Sequence, residues 1–223
     1  MKKINLGCGW DGPEGWINID RSWKYYLSRY SWSRHLLRKA LRFFSILGLV
    51  SKSSVTDTPL VHGFKRYDIS KGLPFSNEEV DYIYTSHMLE HLTSEKADFV
   101  LKECHRVLKK GGIVRILVPD LGLFIDNYLK SKQTGNPESA DRFIESIWLC
   151  NTGKPLPLIN RILRYNDPGH KWAYDFESLA YRIRKTGLKE VKKCVSGKGD
   201  MVDIQLFSGE VEHTDSLYLE AEK

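Results

Sequence analysis

The sequence predicts a single α/β domain with a mostly parallel sheet of seven strands, helices on both faces and an antiparallel last strand. Short runs rich in β-branched and aromatic residues alternate with helical patterns from the first residues to about position 195. The last two strand-like runs are joined by a polar segment that contains several glycines and no helical pattern. Strands joined without a crossover helix are most simply antiparallel.

Each element has its own local signal. The strand-like runs, bounded by glycine, proline or polar residues, lie at 2–6, 16–19, 64–67, 80–84, 113–118, 188–195 and 216–222. Apolar spacing typical of a helix, with starting and ending signals, is found at 33–47, 94–108, 137–150 and 175–186. The last helix begins with an acidic residue, ends with basic residues and is followed by Gly187, an order that the helix dipole favours.

Composition is that of a soluble globular protein. Hydrophobic residues at 41% and charged residues at 28% argue against collagen, disorder and a disulfide scaffold. The first strand begins almost at once, so we expect no signal peptide, and widely spaced cysteines favour reduced thiols in a cytoplasm; these are Cys8, Cys104, Cys150 and Cys194. No apolar run reaches the roughly 20 residues of a membrane-spanning helix. One domain over 1–223 is expected, with additions at about 21–62 and 121–172.

The net charge of +6 is concentrated in one segment. Between Arg21 and Lys52 there are eight basic residues and no acid, whereas the rest of the chain has 26 basic and 28 acidic residues. A lid helix that closes over and helps to shape an active-site pocket is the favoured interpretation of this basic insert. Peripheral contact with a membrane surface through 21–52 is the next. Aromatic and basic residues together also suit an anionic glycan or nucleic acid, and we disfavour nucleic acid as a partner.

A glycine loop follows the first strand. Residues 7–12, GCGWDG, match G-x-G-x-x-G, but a dinucleotide needs a helix directly after the loop and a ribose acid about 20 residues on. Pro13 and the early second strand leave no room for such a helix, and Asp20 comes too soon. S-adenosylmethionine has no phosphate and needs only close backbone approach at Gly7 and Gly9, with a carboxylate such as Asp20 for the ribose hydroxyls.

Residues 66–92 add a second carboxylate and the end of a central strand. Asp68 ends a short strand, where its carboxylate can accept the adenine amino group while the N–H of Ile69 meets a ring nitrogen. The strand VDYIYTSH then delivers Ser86 and His87 to its carboxyl end. Ligands in such sheets bind outside the carboxyl ends of the strands.

Five motifs in order resemble those of class I S-adenosylmethionine-dependent methyltransferases: INLGCG, an acid after WINI, YDISKGLPF, VDYIYTSHMLEHL and ECHRVLKKGGIVRILVPD. The likeness covers about 1–20, 64–120 and 170–222. It is greatest to small bacterial and archaeal members associated with surface polysaccharide genes. Two features depart from the pattern, because the usual first helix is almost absent and the connection at 21–62 is longer than usual.

The resemblance implies a Rossmann-like fold, S-adenosylmethionine as cofactor and a cytoplasmic enzyme, peripheral at the membrane if the basic insert binds there. It further implies methyl transfer to a hydroxyl or other nucleophile of a small-molecule, glycan or glycolipid acceptor. The residues expected around the cofactor are Leu6, Gly7, Cys8, Gly9, Asp20, Asp68, Ile69 and Ser86. The alternative is a non-catalytic S-adenosylmethionine-binding module that docks to a membrane or partner through the basic insert.

The stretch SHMLEHL contains an H-x-x-E-H pattern formed by His87, Glu90 and His91. An inverzincin peptidase is disfavoured, because its motif should lie within a long helix. A metal-dependent methyltransferase would place the three side chains around one ion. The favoured interpretation assigns no metal: Glu90 and His91 hold the turn, and His87 faces the acceptor as general base.

Two further residues are candidates for the acceptor side. His170, in GHKWAYD, is a second candidate base, and an equally weighted alternative is a loop histidine bonded to backbone. Asp120 follows LVP at the end of the fifth strand, where it either faces the acceptor or caps the following helix.

Overall fold

The computed structural model describes residues 1–9, 11–21, 39, 62–147, 169–212 and 215–223. These residues form a seven-stranded sheet with the order β3-β2-β1-β4-β5-β7-β6. Its strands are β1 Lys3–Leu6, β2 Ile17–Asp20, β3 Phe64–Arg66, β4 Val80–Ser86, β5 Leu108–Pro119, β6 Lys189–Cys194 and β7 Ser216–Glu222. Pairs among β1 to β5 are parallel, and β7 is antiparallel to both β5 and β6. This confirms the predicted Rossmann-like sheet and its antiparallel last strand.

The helices of the described residues are α1 Ser94–Val107, α2 Leu121–Gln133, α3 Ser139–Ile147, α4 Phe176–Lys185 and the short α5 Gly209–Glu212, with 3₁₀ helices at Leu89–His91 and Ile204–Leu206. The predictions at 94–108, 137–150 and 175–186 are confirmed where the chain is described. The helix predicted at 33–47 and nearly all of the basic insert lie outside the described residues. Within the described ranges, no helix is both long and apolar enough to cross a membrane.

One face of the sheet packs against α1 and α4. Val100 and Leu101 of α1 and Leu179 and Ile183 of α4 join one hydrophobic core with strand residues such as Ile83. The start of α4 is held by a capping box, in which the Asp175 and Ser178 side chains each bond the other's backbone. This local hydrogen bonding explains why the start of the helix could be predicted from the sequence.

The opposite face is covered by the connection between β6 and β7. Phe207 of this connection stacks on Tyr84 of β4 with ring centroids 3.7 Å apart and meets the edge of Trp16 at 4.9 Å. Met201 and Ile204 belong to the same buried cluster. The sequence predicts this connection as a loop, and its described residues form only short helices. It nevertheless covers the sheet face next to the segment between β1 and β2.

Two buried asparagines hold the chain between β1 and β2. Asn5 Nδ2 donates to the carbonyl of Asp11 at 2.6 Å and to Asn18 Oδ1 at 3.0 Å. Asn18 Nδ2 donates to the carbonyls of Pro13 at 3.0 Å and His62 at 2.6 Å. Buried backbone carbonyls need hydrogen-bond donors, which in a helix are backbone N–H groups. Here the two asparagine amides are the donors instead.

A buried arginine ties β5 to the β6–β7 connection. Arg115 donates from Nε and Nη2 to the two oxygens of Glu210, at 2.6 and 2.7 Å, and from Nη1 to Glu220 at 2.9 Å. All three residues are at most 1% exposed. Burial alone would lower the pKa of Arg115, but the two carboxylates outweigh it and raise that pKa. The guanidinium is therefore permanently charged.

The same carboxylates organise the backbone of the connection. Glu220 accepts hydrogen bonds from the N–H groups of Asp200 at 2.7 Å and Met201 at 3.1 Å, and Glu210 accepts from the N–H of Gly197 at 3.0 Å. The fold of the connection thus depends on the buried charges.

We expect Arg115→Met to lower the free energy of unfolding by about 3–5 kcal/mol, because it removes the buried cation that pairs with two buried carboxylates. Urea denaturation followed by circular dichroism measures this loss. The matched control is Arg142→Met, which breaks an exposed pair with Glu138 of 2.8 Å and should change the free energy by less than about 1 kcal/mol. Equal losses in the two variants would contradict a special role for the buried arginine.

Candidate functional site

The predicted cofactor residues meet at the carboxyl edge of the parallel strands. Leu6 ends β1 and is fully buried, Asp20 ends β2, and Ser86 ends β4. Asp68 follows β3 by two residues, and the intervening Tyr67 donates its N–H to the carbonyl of Asp20 at 3.0 Å. Consecutive strand ends therefore bring these residues to one side of the sheet.

The glycine loop is folded back on β2. Gly7 and Gly9 have positive φ angles of 68° and 52°, a region that glycine adopts readily. The N–H of Gly7 donates to the carbonyl of Ile19 at 2.8 Å, and the N–H of Gly9 donates to Asp20 Oδ2 at 3.2 Å. A Cβ added at Gly7 would lie 2.7 Å from Cβ of Met88. Glycine at this position lets the loop contact the turn after β4.

Cys8 lies within this loop but is not a reactive thiol. Cys8 is buried, with 5% of its surface exposed. Burial, followed by the charges of Asp20 and Asp11, raises the pKa of the Cys8 thiol well above its ordinary value. A neutral thiol is a poor nucleophile, so the residue's contribution here is its backbone and its packing.

Asp68 is oriented by a serine that the sequence analysis missed. Asp68 Oδ1 accepts hydrogen bonds from the N–H of Ser70 at 3.1 Å and from its hydroxyl at 2.7 Å. Burial would raise the pKa of Asp68, but the two hydrogen bonds from Ser70 outweigh it and the pKa lies below its ordinary value. Ile69, between them, is 9% exposed. The D-x-S spacing is a signal for such a turn.

The β6–β7 connection also reaches the cofactor edge. A Cβ added at Gly209 would lie 2.8 Å from Ser86 Oγ, and the N–H of Gly209 donates to Asp11 Oδ2 at 3.2 Å. The connection therefore contacts both the end of β4 and the glycine-loop segment. Sequence reasoning found neither Asp11 nor Gly209, because the contact joins opposite ends of the chain.

His87 lies on the turn between β4 and the first 3₁₀ helix. Its φ angle is 49°, an uncommon conformation for a residue with a side chain. Its N–H donates to the carbonyl of Leu117 at 3.0 Å, its Nε2 lies 2.8 Å from Ser216 Oγ, and its Nδ1 lies 3.2 Å from Glu90 Oε1. Backbone and ring are thus both held in place. Ser216, which begins β7, had no local signal in the sequence.

Glu90 is buried beneath the histidines, with 1% of its side chain exposed. Neither of its carboxylate oxygens has a hydrogen-bond partner of normal geometry among the described residues. Its Oε1 lies 4.0 Å from His170 Nε2. Its main-chain carbonyl accepts from the N–H groups of Lys171 at 2.7 Å and Trp172 at 3.2 Å, so the turn after β4 is attached to the segment around His170.

His170 therefore joins the H-x-x-E-H turn, a contact that the sequence analysis did not foresee. Its Nδ1 lies 3.1 Å from the carbonyl of Ile147, as expected for a histidine bonded to backbone, and its ring meets the His91 ring edge-on at 5.0 Å. Burial lowers the pKa of His170, which the nearby Glu90 opposes only in part. Ligand atoms of Glu90, His91 and His170 all lie within 4.8 Å of one another.

A small apolar pocket adjoins this cluster at the end of β5. Glu90 and His170 form its polar side, and the rest is lined by Pro119, Leu121, Phe124, Ile147, Trp172, Ala173 and Tyr174. Burial raises the pKa of Tyr174 to about 12, so its hydroxyl stays protonated. Asp120 does not face the pocket as a free acid, because its Oδ1 caps α2 through the N–H of Gly122 at 3.0 Å.

Comparisons with known proteins find matches of low similarity. Residues 49–116, less than half of the chain, match the family model described as "Methyltransferase domain". No curated protein matches the chain. The family match, with the strand order of the sheet, supports a methyltransferase that uses S-adenosylmethionine.

Similar solved structures include three S-adenosylmethionine-dependent methyltransferases. That from Methanosarcina mazei is 16% identical, with 100% of this chain and 92% of that chain covered and a TM-score of 0.49. Those from Archaeoglobus fulgidus and Mesorhizobium loti are each 14% identical over 100% of this chain, covering 86% and 90% of theirs, with TM-scores of 0.48 and 0.45. Similarities at this level transfer no activity to this chain.

We expect Gly7→Ala to destabilise the protein more than Gly197→Ala, because both residues have positive φ but only Gly7 faces a neighbour, Met88. The cost of the left-handed backbone, about 1–2 kcal/mol, is common to both and cancels in the comparison. Urea denaturation gives the two free energies of unfolding. Met88→Gly removes the side-chain atoms that a Cβ at position 7 would meet, so adding Gly7→Ala to Met88→Gly should cost less than Gly7→Ala costs in the wild type. Strict additivity would contradict the steric contact.

Proposed function

We propose that this chain, whose strand order and partial family match support an S-adenosylmethionine-dependent methyltransferase, methylates a hydroxyl of a small-molecule or glycan acceptor. The observation that carries the proposal is the junction between Gly7 and Met88, where the glycine loop contacts the turn that bears His87. The loop proposed to bind the cofactor and the histidine proposed as base therefore lie at the same edge of the sheet.

The fit of the cofactor is supported by groups that its parts require. Gly7, Cys8 and Gly9 offer close backbone approach for the methionine part, with Leu6 and Ser86 beside them. The Asp20 carboxylate would accept the ribose hydroxyls, and Asp68 with the N–H of Ile69 would bind the adenine. The contact from the N–H of Gly9 to Asp20 Oδ2 favours this assignment, because it orients the acid at the loop. When bound, S-adenosylmethionine supplies a methyl group activated by a positively charged sulfur.

His87 is the preferred general base for a hydroxyl acceptor. The hydroxyl proton must be removed as the new C–O bond forms, and an imidazole nitrogen is the most common general base in enzymes. The Glu90 carboxylate 3.2 Å from Nδ1 would stabilise the charged ring once Nε2 has taken that proton. His170 is the second candidate, but its Nδ1 faces a backbone carbonyl, and its side chain is 12% exposed against 23% for His87.

The acceptor pocket supports a substrate with an apolar or ring-shaped face. Leu121 and Phe124 come from one end of the predicted cap and Trp172 from the other, which supports an acceptor-side role for 121–172. Sugars can stack on an aromatic side chain such as Trp172, which is 40% exposed. The glycan and its link to polysaccharide synthesis follow from the sequence resemblance, and membrane contact through 21–52 is part of the same proposal.

The direct test combines binding with turnover. Titration calorimetry with S-adenosylhomocysteine should give one site per chain, whereas NADH should not bind. Labelled S-adenosylmethionine is then incubated with a panel of hydroxylated sugars and phenols, and methylated product is measured. Binding without methylation of any acceptor, together with liposome or protein capture that depends on 21–52, would favour the non-catalytic binding module.

We expect Asp20→Ala to weaken S-adenosylhomocysteine binding at least tenfold. A hydrogen bond to a charged acceptor contributes about 1.5–3 kcal/mol, and 1.4 kcal/mol corresponds to a factor of ten. Calorimetry measures the dissociation constant, and Asp126→Ala, at an exposed position of α2, is the control that should leave it unchanged. An unchanged affinity in Asp20→Ala would show that the ribose assignment is wrong.

We expect His87→Asn to slow methyl transfer by about 10²- to 10⁴-fold without changing S-adenosylhomocysteine affinity, because it removes a general base. Asparagine tolerates the left-handed backbone found at this position, so the turn should persist. Single-turnover rates of methyl transfer at saturating S-adenosylmethionine give the readout. A rate equal to that of the wild type would exclude His87 as the base.

A further inference from the structure

We propose that Glu90, His91 and His170 form a binding site for one divalent transition-metal ion, for which zinc is the best match. One ligand atom from each side chain lies within 4.8 Å of the others. Ligands about 2.0–2.2 Å from a tetrahedral ion lie roughly 3.4 Å apart, so the distances between the three atoms would shorten by at most about 1.4 Å when the ion binds.

The buried carboxylate is an independent reason to place a cation there. Glu90 has 1% of its side chain exposed, and its two oxygens have no hydrogen-bond partner of normal geometry within the described ranges. A buried carboxylate is costly unless a cation faces it, and the imidazoles of His87 at 3.2 Å and His170 at 4.0 Å are cations only when protonated. A metal ion between the carboxylate and the imidazoles would remove this cost and account for the grouping of three histidines around one acid.

The donor set determines the class of metal. Two imidazole nitrogens and one carboxylate oxygen suit zinc, iron, cobalt or nickel, whereas magnesium and calcium prefer oxygen ligands alone. Three protein ligands also leave a position open for water or substrate, as in catalytic zinc sites. The adjoining pocket, with Leu121 and Phe124 in its wall, is where such a ligand would enter.

A backbone contact orients one of the ligands. His170 Nδ1 lies 3.1 Å from the carbonyl of Ile147, where a carbonyl accepts only from a protonated nitrogen. Nε2 then carries the lone pair, and it is the nitrogen that lies 4.0 Å from Glu90 Oε1. Metal-bound histidines usually have such a second contact, which sets the tautomer and the ring orientation.

This ligand set differs from the alternative drawn from the H-x-x-E-H motif alone. His87, Glu90 and His91 share two residues with it, but the third ligand comes from His170. His87 lies beside the same Oε1, at 3.2 Å from its Nδ1, and its Nε2 faces Ser216. His87 thus lies next to the Glu90 ligand without binding the ion itself, and its proposed role remains that of the base for the acceptor hydroxyl.

The use of the ion in catalysis rests on the proposed methyltransferase function. A zinc ion lowers the pKa of a bound oxygen ligand, so an acceptor hydroxyl at the open position would lose its proton more readily. Ion binding itself does not depend on that function, and the experiment below measures the two separately.

The test is calorimetric titration of the full, chelator-stripped chain with ZnCl₂, and with MgCl₂ in parallel. We expect one zinc per chain, and at least tenfold weaker binding in Glu90→Gln and in His170→Ala. His105→Ala, which removes a histidine from the last turn of α1, is the matched control and should bind zinc as the wild type does. Circular dichroism and S-adenosylhomocysteine binding report whether each variant is folded.

The outcomes separate the two proposals. The metal site would be overturned if the wild type does not bind zinc or binds magnesium alone. It would also be overturned if Glu90→Gln and His170→Ala bind zinc as tightly as the wild type. Cobalt absorption typical of tetrahedral nitrogen and oxygen ligands, lost in a folded Glu90→Gln variant, would support it even if His170→Ala unfolds. Zinc binding without methyl transfer would leave the metal site and refute the enzyme, whereas metal-independent turnover would refute only the role of the ion.

Discussion

The ion triad of Arg115, Glu210 and Glu220 is the interaction on which the second face of the sheet depends. Its three side chains are withdrawn from water, and buried charges are tolerated only while they stay paired and hydrogen-bonded. Glu220 also lies 3.6 Å from Lys192 Nζ, so two cations face two carboxylates. Because these acids also bind backbone N–H groups, the β6–β7 connection cannot leave the sheet without exposing uncompensated charge.

That connection links structural stability to the functional edge. Gly209, next to Glu210 in the chain, contacts Ser86 and donates its N–H to Asp11. The described residues between β1 and β2 form no helix, and buried asparagine amides together with this connection hold them in place. The geometry of the glycine loop is therefore determined partly by residues almost two hundred positions further along the chain.

A second buried carboxylate, Glu90, is accommodated differently. Arg115 gives Glu210 a permanent cation, because a guanidinium does not lose its proton at physiological pH. Glu90 is surrounded by imidazoles, which can exchange protons or bind a metal. The first arrangement holds the fold, whereas the second lies where strands β4 and β5 end, the edge at which such sheets bind their ligands. Among the described residues its oxygens have no hydrogen-bond partner of normal geometry, which is consistent with a functional site.

The sequence by itself determined the strands, three of the helices and the class of the sheet, because apolar periodicity, turns and caps act between near neighbours. It also placed Asp20, Asp68 and His87 at strand ends. Only the tertiary structure decided that His170 joins Glu90 and that Arg115, within an apolar-looking strand, meets two acids. Such contacts join distant segments, and their positions depend on how the whole sheet assembles, which no local pattern encodes.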